Sequence, residues 1–194
     1  MIRSMMLPAT AAAVALATPA LAADEAAARL GAYDDAVIAI MKAKLPLATR
    51  IDRFQALVAR YYDMPAIAAL VVGPGWSGTS TGDRAAAIAA LTRHSAISLA
   101  RNFASYGGER FTVDPNVVTR GGSRIVRLTI SSSGSRDTLL YRMQQGEGGW
   151  RIVDVVAGGV SQLAVQRADL ASTVASGGAA GLARRLAQID AKVR

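Results

Sequence analysis

The sequence predicts an α+β domain, a four-stranded antiparallel meander wrapped by about six helices. Three observations carry this. Apolar residues recur at helical spacing through the first half of the chain. Four strand-like runs then follow one another with no helix among them, and helical spacing returns to the end. Consecutive strands joined by short turns pair antiparallel, and helices segregated from strands indicate α+β rather than α/β.

Residues 1–22, MIRSMMLPATAAAVALATPALA, start basic at Arg3, continue apolar and end on Ala20-Leu21-Ala22. That is the pattern of a cleavable secretory signal. Residues 23–194 are then expected to form a single exported domain, periplasmic if the source is a Gram-negative bacterium. From Ala26 to Lys44, Leu30, Tyr33, Val37 and Met41 form a helical stripe, with Asp34 and Asp35 expected on other faces. A second helix covers Ile51–Tyr62, and Pro65 sits at the start of a short third, where a helix tolerates proline best. GPGWSGTSTG is a loop. The longest helix runs from Thr81 to Tyr106 and stops at Gly107-Gly108.

Strands are expected at Arg110–Val118, Arg124–Ser131, Thr138–Gln145 and Trp150–Ala157. In the second, Val126, Leu128 and Ile130 alternate with Arg127 and Thr129. The fourth is apolar on both faces if it alternates simply. Trp150, Ile152, Asp154 and Val156 would then share one side, and Arg151, Val153, Val155 and Ala157 the other. A strand of this kind is covered on both sides. Two closing helices, Gln162–Ser176 and Ala180–Val193, are separated by Gly177-Gly178.

Composition narrows the function. The chain has a net charge of +8, a single histidine and no cysteine, which excludes disulfide and thiolate chemistry. A basic exported protein meets anionic head groups, acidic polysaccharide or an acidic partner; nucleic acid is the poorer reading outside the cytoplasm. Gly73, Gly75 and Gly78 spell G-x-G-x-x-G, but a helix precedes them and no acidic residue follows between Asp83 and Glu109, against a dinucleotide site. Ser161 follows Gly158-Gly159 without the second glycine of a nucleophile elbow and with no histidine after it. A helix N-cap explains it without chemistry. The acidic residues show no metal-ligand spacing, and no catalytic residue, metal or cofactor is expected.

Asp154 and Arg167 stand out. A carboxylate on a doubly covered strand needs a donor. Arg167 falls among Leu163, Leu170 and Val174, as the one charge on an apparently inward stripe. An Asp154–Arg167 contact, a snorkelling arginine, or an arginine at a cavity mouth meeting an anion would each account for it.

Three segments carry a resemblance: YYDMPAIAALVVGPGW (61–76), NFASYGGERF (102–111) and YRMQQGEGGWRIVDVVAGGVSQL (141–163), followed by Arg167. In these the chain resembles the MlaC family of periplasmic lipid carriers. The resemblance implies a curved sheet, helices packed around it and a deep apolar cavity for acyl chains. It also implies a non-catalytic shuttle between an outer-membrane lipoprotein complex and an inner-membrane ABC transporter with its substrate-binding component. Ile88 and Leu91 replace aromatic residues frequent in the family, and Val165-Gln166 replace an Asn-Tyr pair. The VSQLAVQR form is similar to a hopanoid-associated branch, so the expected ligand is a phospholipid or a hopanoid-type lipid. The expected lipid-binding residues are Val126, Leu128, Leu140, Arg142, Val153, Val155, Leu163, Arg167 and Leu170. A non-catalytic binding module for another apolar molecule or a protein partner is the alternative, and a hydrolase acting through Ser161 a remote third.

The energetics agree with a lipid ligand. Each acyl chain of roughly sixteen carbons costs on the order of 10 kcal/mol to expose, at about 0.8 kcal/mol per CH₂. A dry cavity offsets this, and 52% hydrophobic residues with only 5% aromatic suit an unfilled interior.

Overall fold

The computed structural model describes residues 24–193; the expected signal segment lies outside them. Helix α1 (Glu25–Lys42) is capped by Asp24, whose carboxylate accepts from the amides of Ala26 and Ala27. Helix α2 (Leu47–Tyr61) follows Pro46, and α3 (Met64–Val72) is capped by Asp63 with Pro65 in its first turn. A 3-10 turn, Gly73–Trp76, occupies the expected loop. Helix α4 (Thr81–Asn102) is capped by Ser80 and stops short of the glycine pair, because Phe103 already leaves helical geometry. None of the described helices is long and apolar enough to cross a membrane.

The sheet is curled and antiparallel, with six strands rather than four. The first expected strand is two: β1 (Arg110–Val113) and β2 (Val118–Arg120). Pro115 cannot donate to a ladder, and Asp114 accepts from the amide of Asn116 in a turn that separates them. Both then pair with the long β3 (Ser123–Ser132), at opposite ends. Next come β4 (Ser135–Gly146), β5 (Gly149–Ala157) and a two-residue β6 (Val160–Ser161) that folds back on β5 at Gly158-Gly159. Both glycines have positive φ, as this corner requires.

Simple alternation along β5 fails at one position. Arg142 pairs with Asp154, yet its neighbour Met143 pairs with Ile152, so Val153 is the extra residue of a β-bulge. Trp150 and Ile152 therefore share the inner pleat with Val155 and Ala157, while Asp154 and Val156 face outward. The expected face of Trp150, Ile152, Asp154 and Val156 does not exist.

The two closing helices are one element, α5 (Gln162–Asp190), sharply kinked at Gly178, whose φ of 55° and ψ of −151° lie outside helical space. Among the described residues there are thus five α-helices rather than about six. They build two cores. The first joins α1, α2 and the end of α4 to the inner pleat through Leu30, Tyr33, Phe54, Leu128 and Met143. The second joins α2, α3, the start of α4 and α5 through Val58, Ala68, Leu91, Leu182 and Leu186.

Candidate functional site

Between the two cores lies a cavity of about 1280 Å³. Ordinary small-molecule pockets span roughly 300–1,000 Å³, so this one suits a larger ligand. On one side stand Leu99, Phe103, Leu139, Tyr141 and Val155, all contiguous with the first core. On the other stand Ile67, Leu163, Leu170 and Leu186 of the second. Polar side chains also reach the wall, among them His94, Asn102, Asp137, Gln166, Asp169 and Arg185.

Of the residues expected to bind lipid, Leu140, Val153, Val155, Leu163 and Leu170 are in the wall. Val126 and Leu128 are fully buried in the first core instead, although Arg127 and Ile130 of the same strand do reach the wall. Arg142 is half-buried on the outer pleat opposite Asp154, outside the wall. Arg167 is exposed rather than inward. At about 100° per residue, Gln166 lies some 40° from the buried Leu170 and Arg167 some 60° to the other side. Gln166 takes the cavity position and Arg167 turns to solvent.

Asp154 has its donors, but neither is Arg167. It accepts from the Ser161 hydroxyl at 2.7 Å and from the Leu163 amide at 3.0 Å. The Ser161 oxygen in turn accepts from the Ala164 amide at 3.0 Å, as an N-cap does. Serine and aspartate together fasten the start of α5 to β5. At the other end of α5, Asp190 meets His94 Nδ1 at 2.7 Å, joining the helix to α4 beside the cavity.

Sequence reasoning missed a buried polar cluster behind the wall. Asp34 is only 4% exposed, and neither carboxylate oxygen has a hydrogen-bond partner among the described residues. Burial, and secondarily the adjacent Asp35, pushes its pKa up to about 8, so it is protonated at neutral pH. Beside it, the Tyr33 and Tyr62 hydroxyls lie 3.2 Å apart, and the Tyr33 and Tyr141 rings meet edge to face. Burial pushes Tyr62 up to about 12 and raises Tyr33 and Tyr141 well above the usual phenol value. Tyr62 and Tyr141 belong to the wall. The cluster is therefore neutral, an arrangement compatible with an apolar ligand.

Fold and site define a class: an α+β protein whose curled sheet and helices hold an open cavity, with apolar and polar walls, between two cores. The chain belongs to the MlaC family, whose sequence model, described as MlaC protein, matches residues 32–188. A solved structure of the phospholipid-binding protein from Ralstonia solanacearum, in complex with a phospholipid, has a similar fold. Its TM-score is 0.68 at 21% identity, covering 87% of this chain and 98% of that one. No curated protein matches the chain in sequence.

Proposed function

We propose that this protein is a periplasmic lipid carrier that holds a phospholipid by its acyl chains in the cavity. It would exchange that lipid between an outer-membrane lipoprotein complex and an inner-membrane ABC transporter with its substrate-binding component. The observation that carries this reading is the 1280 Å³ cavity, walled by both cores, in a chain of the MlaC family. The phospholipid held by the Ralstonia protein of similar fold supports the ligand class, and a hopanoid-type lipid is the variant suggested by VSQLAVQR. Leu140, Val153, Val155, Leu163 and Leu170 would contact the chains directly. Val126 and Leu128 would support the wall from behind. Arg142 and Arg167 would touch at most a protruding head group.

The role is binding without catalysis. The Ser161 hydroxyl is occupied at both its donor and acceptor sides, and His94 is engaged by Asp190. The test is transfer of a fluorescent phospholipid between donor and acceptor vesicles. Val155→Trp and Leu163→Trp, which put an indole into the wall and narrow the cavity, should each slow transfer by about tenfold, equivalent to roughly 1.4 kcal/mol of lost binding. Equal transfer by wild type and both variants would rule out the cavity as the carrier site.

A further inference from the structure

The outer pleat of the sheet carries a second feature, which adjoins the ligand site. Register places Arg110, Arg120, Arg127, Arg136 and Arg142 on that one face. Arg127 pairs with Leu140, Arg110 and Arg136 both pair with Ser131, Arg142 pairs with Ile125, and Arg120 pairs with Ser123. Four of the five are exposed and Arg142 is half-buried. Among the described residues none makes an ion pair; the three ion pairs use Arg93, His94 and Arg124. Between them stand short hydroxyl residues, Thr112, Thr129 and Thr138, and the apolar Ile125, Leu140 and Val118, the last of which is 55% exposed.

Asp154 and Asp114 have donors of their own, and Asp137, beside Arg136, lies on the opposite pleat. Asp154 is held by Ser161 and Leu163. Asp114 is held below the usual carboxylate range first by Asn116 and only last by Arg127. The face thus carries five arginines, none in an ion pair among the described residues, spread along β3 from the level of Ser123 to that of Ser131. All five are arginine in a chain with 19 arginines and three lysines. The guanidinium fork binds phosphate through two parallel hydrogen bonds, which an ammonium cannot do. The exposed Val118 and the apolar residues between the arginines suit the boundary between head groups and acyl chains. Arg127, Arg136 and Leu140 also border the cavity, so a surface docked on this face lies beside the cavity opening.

We infer that the arginine-bearing outer face of the sheet docks the protein on an anionic phospholipid bilayer, placing the cavity opening next to the membrane. This rests on the carrier reading for its purpose but not for its measurement. Flotation of the full chain with vesicles of phosphatidylcholine alone, or of phosphatidylcholine with 30% phosphatidylglycerol, tests it at low and high salt. Wild type should float with the anionic vesicles at low salt, be released at high salt, and ignore the neutral ones. Arg110→Glu/Arg120→Glu/Arg142→Glu should weaken that binding by about 100-fold, each juxtamembrane arginine contributing roughly fivefold. Arg53→Glu/Arg101→Glu/Arg184→Glu, on exposed helix positions, carries the same charge change and should bind within about threefold of wild type.

Equal loss in both triple variants would reduce the effect to net charge and overturn the assignment. So would an absence of binding to anionic vesicles at low salt, which would point to an acidic protein as the occupant. Circular dichroism and lipid content establish that each variant is folded. Vesicle binding without lipid uptake would sink the carrier reading alone, and lipid uptake without vesicle binding would sink the docking face alone.

Discussion

Asp34 shows how one residue couples position to stability. Its folded pKa of about 8 exceeds its ordinary value, so the native state holds a proton that the unfolded chain has lost. Stability then falls as pH rises from about 4 toward 8, by up to several kcal/mol, and levels off above 8. Asp34→Asn, which cannot ionise, should flatten that slope and raise the melting temperature at pH 8 more than at pH 5. A parallel slope in the variant would place the pH sensitivity elsewhere. At Asp154, the expected effect is loss of two accepted hydrogen bonds. Asp154→Ala should cost about 2–3 kcal/mol in urea unfolding and Ser161→Ala about 1 kcal/mol, with the larger effect at the aspartate. The need of Asp154 for donors was legible because a carboxylate stood on an apolar strand. Asp34 was not, since periodicity locates a helix's apolar stripe but not which flanking residue the neighbouring elements will cover.

At the scale of elements, α1 was visible in its apolar spacing, α3 in its leading proline, and β3 in its clean alternation. What escaped were departures from ideal periods. The bulge at Val153 inserts one residue and turns the outer half of β5 over, which period-two reasoning cannot represent. Gly177-Gly178 reads as a gap between helices, whereas one residue makes the break. Gly178 adopts a backbone conformation open essentially to glycine alone, while Gly177 does not. Gly178→Ala should therefore destabilise the protein by about 1–3 kcal/mol, measured by chemical denaturation. Gly177→Ala, whose added methyl meets only the tip of Arg184 at 3.8 Å, should be tolerated. Equal costs at the two positions would mean that the kink is not fixed by Gly178. Because α5 supplies Leu163 and Leu170 before the kink and Leu186 after it, the same break shapes the cavity.

Across the whole molecule, two cores bridged by the half-buried Tyr62 and Leu99 leave the cavity between them, and no local pattern in the sequence encodes that arrangement. Composition hinted at it through many small and branched residues and few aromatic ones, and the family resemblance supplied the shape. The individual wall residues depended on how neighbouring elements cover each strand: β3 sends Arg127 and Ile130 to the wall while Val126 and Leu128 stay in the first core. A bound lipid would replace water against the apolar part of the cavity wall. Filling the cavity should raise the melting temperature, with a stabilisation that grows by about 1.4 kcal/mol for each tenfold excess of lipid over its dissociation constant. The most direct measurement of the central claim is native mass spectrometry of the purified protein, followed by extraction and identification of the bound molecule. The account predicts one lipid per chain, present in wild type and depleted in Val155→Trp and Leu163→Trp. Protein that is consistently free of lipid, or lipid retained equally by both cavity-narrowing variants, would contradict it.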